Sequence, residues 1–149
     1  MWHTLRPIVL LAFIAAACGD KTPSAPSPAP LNVTGTWTGD VSLQGMPARM
    51  TWTLTQTNNV VSGPVLVLLP SGVVLMNGTL AGTLTGPVLA YTITISPDGL
   101  PSQPTCTGQL AGSVTATISA ISMLAGSYSV TSSTCTTPFS SGTFTLTKS

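Results

Sequence analysis

From residue 33 onward, apolar and polar side chains alternate along the chain with a period of two. Met50, Trp52 and Leu54 share one face of a segment whose other face carries Thr51, Thr53 and Thr55. Trp37, Val41 and Leu43 oppose Thr36, Thr38, Asp40 and Ser42 in the same way. Leu89, Tyr91, Ile93 and Ile95 oppose Thr92 and Thr94, and Leu110, Val114 and Ile118 oppose Gln109, Ser113, Thr115 and Thr117. Near the C-terminus Phe144 and Leu146 oppose Thr143, Thr145 and Thr147. Successive side chains on a strand point to opposite faces, so this pattern predicts half-buried β-strands. The abundance of β-branched residues agrees. No window of useful length reads as a helix.

Turn-forming residues punctuate the strands at short intervals. They include Gln44-Gly45, Asn58-Asn59, Pro70-Ser71-Gly72, Gly86-Pro87, Pro97-Asp98-Gly99 and Ser141-Gly142. They delimit about eight strands with short connections, which favour antiparallel neighbours over parallel crossovers. Glycines recur inside the strand pattern as Leu-Ala-Gly at 80–82, 110–112 and 124–126, and such glycines mark places where a sheet bends. The expectation is an all-β, up-and-down meander curled into a small closed or nearly closed barrel. A two-sheet β-sandwich is the alternative.

Residues 60–69 and 73–76 break the alternation, being apolar on both faces. Either they form strands covered on both sides, or they build an apolar wall that meets a ligand, a partner or a membrane. In the second case Leu66, Leu68, Leu75 and Met76 are the candidates for the rim of a ligand-binding mouth.

The first thirty residues have a different character. Arg6 precedes an unbroken apolar run over residues 8–17, as long as the core of a signal peptide and too short to span a bilayer, which takes about 20 residues. Ala15, Ala16 and Ala17 lead into Cys18. This resembles the bacterial lipobox, differing at Ala15, where the box ordinarily has Leu. The resemblance implies a cleaved signal peptide over residues 1–17 and a diacylglycerol-bearing Cys18 as the first mature residue. The alternative is an ordinary secretory signal cut at an Ala-x-Ala site. Residues 18–31 then form a tether in which Pro alternates with Ser and Ala, a composition that favours extended polyproline II at about 3.1 Å per residue. Residues 32–149 are the barrel domain.

Three cysteines make an odd count. Lipidation of Cys18 leaves Cys106 and Cys135 as the only pair, and an oxidising compartment favours a disulfide between them. Two reduced, buried thiols are the alternative.

Composition removes several function classes. Charged residues make up 5% of the chain, against about 25% in an average protein. Past the tether the only cations are Arg49 and Lys148, which disfavours nucleic acid as a partner. The one histidine, His3, leaves with the signal peptide, so a Ser/His or Cys/His nucleophile and a histidine metal site are not expected. Asp40 and Asp98 are the only acids in the domain, and Asp98 sits in a turn that favours Asp. The expectation is a protein that is not an enzyme and carries no cofactor.

Gly35-Thr36-Trp37 opens the first strand and resembles the Gly-x-Trp signature of the lipocalin and calycin barrels. In that family the Trp packs across the closed end and a basic residue near the last strand lies over it. The resemblance implies a barrel floor made by Trp37 and Lys148. The family's Thr-Asp-Tyr motif is absent from the sequence. Taken together, these features lead us to expect a lipid-anchored envelope lipoprotein, most consistent with the outer membrane, facing the periplasm or the cell surface. Its barrel is either a structural or protein-interaction module or a binding protein for a small apolar ligand. A membrane-spanning eight-strand barrel is a third, less economical reading, because the lipid anchor would be redundant.

Overall fold

The computed structural model describes residues 31–43, 45–119, 122–136 and 141–149. The expected signal segment, most of the expected tether and Cys18 lie outside the described residues. Eight antiparallel strands follow in chain order: β1 (Gly35–Leu43), β2 (Met46–Thr57), β3 (Val60–Leu68), β4 (Val74–Thr85), β5 (Val88–Ile95), β6 (Gly108–Thr117), β7 (Met123–Ser133) and β8 (Gly142–Lys148). Each pairs with the next, and β8 returns to β1 through Trp37↔Lys148 and Thr38↔Thr147. The result is a closed up-and-down barrel, so no strand is left with a free edge. The sandwich alternative is excluded by that closure.

The alternation read from the sequence is the inward–outward alternation of the wall. On β2, Ala48, Met50, Trp52 and Leu54 are buried, while Arg49, Thr53 and Thr55 are exposed. On β5, Leu89, Tyr91, Ile93 and Ile95 point inward. The register keeps these sets together: Trp37 faces Trp52 across β1 and β2, and Leu80 faces Ile93 across β4 and β5. An eight-strand barrel is just wide enough for such side chains to fill.

Closing so small a barrel brings strands close together, and Gly112 makes room. A Cβ there would collide with the Ser127 carbonyl and stand 2.9 Å from the Tyr91 hydroxyl. The wall is irregular at two bulges, between Val67 and Leu68 and between Gln109 and Leu110.

The two ends of the barrel are built differently. At the N-terminal end two connections are tight, at residues 58–59 and 86–87, and a third spans residues 118–122. At the opposite end, residues 96–107 form a longer connection tied down by its own backbone. Asp98 N–H donates to Pro104 O at 2.7 Å, and Cys106 N–H donates to Gln103 O at 2.9 Å.

Candidate functional site

Four inward aromatic rings from four strands occupy the middle of the barrel. The Trp52 ring centroid lies 5.0 Å from that of Tyr91 and 5.1 Å from that of Phe144, both edge-on. Tyr128 adds a fourth ring 6.3 Å from Phe144. Edge-to-face pairs at these separations are worth about 0.5–1.5 kcal/mol beyond the area they bury. Among these rings lies a void of about 10 Å³, beside Leu43, Met50, Met76, Tyr91 and Phe144. That is about one water's probe volume, far below the roughly 300 Å³ at which small-molecule sites begin. The interior is a packed core.

Within that core Tyr91 donates its hydroxyl to Ser127 O at 2.9 Å. Burial pushes its ionisation far above the ordinary tyrosine range, and the neighbouring Tyr128 adds to the effect. Burial also raises Tyr128. The Tyr128 hydroxyl and the Trp52 indole N–H are buried with no hydrogen-bond partner among the described residues.

The N-terminal end is closed by Trp37, Val33 and Lys148. The Lys148 Nζ stands 5.4 Å from the centroid of the Trp37 ring. The Trp37 indole N–H donates to Val33 O at 2.8 Å, and both residues are fully buried. Gly35 has a structural reason to be glycine. Its φ is +133°, and a Cβ on it would stand 2.7 Å from the Lys148 Cε. The lysine stem therefore lies over the glycine on its way to the indole.

Gln56 organises the same end. Its Oε1 accepts from Val33 N–H at 2.9 Å, and its Nε2 donates to Leu31 O at 3.0 Å and to Asn58 O at 2.8 Å. Thr34 Oγ1 accepts from the Gln56 backbone N–H at 3.0 Å. One glutamine thus ties the incoming chain to β2 and its turn. The signal for it was present in the sequence: Gln56 is a polar residue on the apolar parity of β2.

The opposite end is covered too. Leu100 is buried as part of the 96–107 connection, whose Gly99 O accepts from Asn77 N–H at 2.7 Å. Gln103 Oε1 accepts from both the backbone N–H and the hydroxyl of Thr136, each at 2.8 Å. Cys106 and Cys135 are brought to disulfide distance beside it, with Cα atoms 4.8 Å apart, inside the usual range for a bridge.

The residues expected to form a ligand rim are not brought together on one inward edge. Leu66 and Leu68 alternate with the buried Val65 and Val67, so they stand on the outer wall. Leu75 is partly buried against the core at the β3–β4 bulge. Met76 alone of the four is fully inward. The both-faces-apolar stretch is therefore one inward row plus an outer-wall patch.

Asp40 and Arg49 form an exposed pair at 3.8 Å, a contact of little energetic weight in water. Asp98 lies at the opposite end of the barrel from Lys148, in the turn after β5. Among the described residues no three His, Cys, Asp or Glu side chains come together. Compared with known proteins, the chain matches no family model, no curated protein and no solved structure.

Proposed function

We propose that this chain is an exported lipoprotein, anchored through Cys18, whose barrel serves as a structural or protein-interaction module of the cell envelope. The observation that carries the second half is the filled interior. With Trp52, Tyr91, Tyr128 and Phe144 packed against one another, the middle of the barrel has no room for cargo. Function then belongs to the outer surface. The wall faces inward with Leu, Val, Ile and aromatics and outward largely with Thr and Ser, the reverse of a membrane-spanning barrel, which is apolar outside and polar within. An anchor at the N-terminus supplies the membrane attachment that such a wall does not. The lipobox-like run into Cys18 carries that half of the reading.

The test has two arms. Cys18→Ser should release the protein from membranes and abolish metabolic labelling with palmitate, leaving near-ultraviolet circular dichroism unchanged. In the second arm, the purified protein is titrated with an apolar fluorescent probe. Absence of saturable binding is expected, whereas stoichiometric binding that Met76→Asn weakens would restore the carrier reading. Membrane association that survives the loss of Cys18 would refute the anchor.

A further inference from the structure

We propose that the N-terminal end of the barrel seats on the bilayer surface to which Cys18 is anchored, so that the disulfide-tied end faces away from the membrane. This rests on the lipoprotein reading above and adds an orientation to it.

The argument starts from where the exposed apolar side chains lie. β3, β5 and β7 all begin at the N-terminal end, and each begins with an exposed apolar residue: Val60 (56% exposed), Val88 (40%) and Met123 (36%). Ile118 (44%) follows β6 at the same end. Of the six large apolar side chains exposed among the described residues, these are four; Met46 and Val73 lie at the opposite end. Their direction follows from the register. Val60 pairs with Thr57 and Thr83, Val88 with Thr85 and Thr115, and Met123 with Thr117 and Thr147. All six threonines are exposed, and directly opposed residues share a face, so the apolar side chains project from the outer rim. Around that rim, apolar residues and hydroxyls alternate.

A rim of this composition suits the headgroup boundary better than water or the hydrocarbon core. Apolar side chains gain by leaving water at roughly 25 cal/mol per Å², while the hydroxyls between them keep hydrogen-bonding partners among headgroups and water. Charge agrees. Among the described residues this end carries Lys148 and no side-chain carboxylate, since Asp40 is on the far half of β1 and Asp98 in the opposite loop. Cations near anionic headgroups are favoured.

The path of the chain selects a membrane over other occupants. Leu31 is held at this end by Gln56, and residues 18–30 lead from there to the proposed lipid. Such a segment reaches about 40 Å when fully extended at about 3.1 Å per residue. It therefore confines this rim to within that reach of the surface, at high effective concentration, and contacts too weak to recruit a free protein suffice to orient a tethered one.

Orientation can be read with a fluorophore on each end. The lipidated full chain carrying Thr85→Cys, or separately Ser71→Cys, is labelled with an environment-sensitive dye. It is then floated with phosphatidylcholine–phosphatidylglycerol vesicles containing brominated lipid. The label at 85 should be blue-shifted and quenched several-fold more than the label at 71. The variant combining Val60→Ser, Val88→Ser and Met123→Ser should float equally well and lose the difference. Equal quenching at both ends of floating protein overturns the orientation and leaves the anchor reading intact. Vesicle-independent self-quenching at 85 also overturns it, by assigning the rim to a second copy of the chain. Failure of the chain to float, with no lipid found on Cys18 by mass, overturns both readings together. Should the triple variant not fold, the comparison of labels 85 and 71 decides alone.

Discussion

Lys148 and Trp37 stand directly opposite each other where β8 closes onto β1, with the ammonium 5.4 Å from the indole centroid. The contact sits on the seam of the barrel, so it reports closure as well as energy. A cation over an indole is worth about 0.5–1 kcal/mol at an exposed site and about 2 when desolvated. Lys148→Ala should lower stability by an amount in that range and shift the Trp37 emission. Lys148→Arg should retain most of the contact. Unchanged emission in the alanine variant would show that the ammonium does not rest on the ring.

Gly35 tests the same arrangement from below. Alanine there must adopt a φ near +133° and meets the Lys148 Cε at 2.7 Å. Backbone strain of this kind costs about 1–3 kcal/mol. We expect Gly35→Ala to be more destabilising than Lys148→Ala, and the Lys148→Ala background to relieve part of the loss. A double-mutant cycle measures the coupling. Strict additivity would mean that the backbone alone requires the glycine.

Gln56→Ala should loosen residues 31–34 without opening the barrel wall. Three side-chain hydrogen bonds disappear, and the buried Val33 loses the partner of its N–H. Leaving a buried donor unpaired costs about 1–3 kcal/mol. Amide exchange should accelerate at Val33 and remain slow at Leu80 and Leu124 in the wall. Uniform acceleration across all strands would assign Gln56 to global stability instead.

These residues also mark the limits of what the sequence discloses. The period-two rows carried strand and face, because a one-residue slip would turn Trp52 and Leu54 out to water. The departures from alternation were harder to read. Gln56 looks like the polar end of a strand until the partners that return to it from residue 31 and from the turn are seen. Leu66 and Leu68 look like a mouth because parity alone does not say which face of an all-apolar strand is inward. Leu100 sits among turn residues, and its burial depends on a loop folding back over β4, a contact with no local signature. Packing of the interior was equally hidden. Whether Trp52, Tyr91 and Phe144 meet is decided by barrel width and register.

The cysteine pair should be stabilising but not essential. The loop it closes spans 29 positions, for which the loop-entropy argument gives about 3–4 kcal/mol. Part of that clamping is duplicated by Gln103 and Thr136 across the same two loops. Cys106→Ala with Cys135→Ala should lower the denaturation midpoint while preserving the near-ultraviolet signal of the aromatic core. Alkylation of the denatured wild-type protein should label neither cysteine until reductant is added. Labelling before reduction would mean that the thiols are not bridged.

The two core tyrosines make stability depend on alkaline pH in a direction that can be fixed beforehand. An unfolded tyrosine loses its proton near pH 10. In the barrel, burial holds the protons of Tyr91 and Tyr128 on to higher pH, with Tyr128 adding to the effect on Tyr91. Above pH ~10 the folded state therefore binds more protons than the unfolded state, and the stability present below that pH falls as pH rises. The slope approaches about 1.4 kcal/mol per pH unit for each tyrosine still protonated in the fold. Urea midpoints measured from about pH 8 to about pH 11 should follow this course. The phenylalanine variants then separate the two residues. Tyr128→Phe removes a buried hydroxyl with no partner among the described residues, so it should be neutral or stabilising by up to about 1 kcal/mol at neutral pH. Tyr91→Phe removes the bond to Ser127 O and should cost about 0.5–1.5 kcal/mol under the same conditions. Both variants should flatten the alkaline decline. An alkaline decline that persists unchanged in the double variant would mean that the hydroxyls reach water and the core is looser than its ring contacts imply.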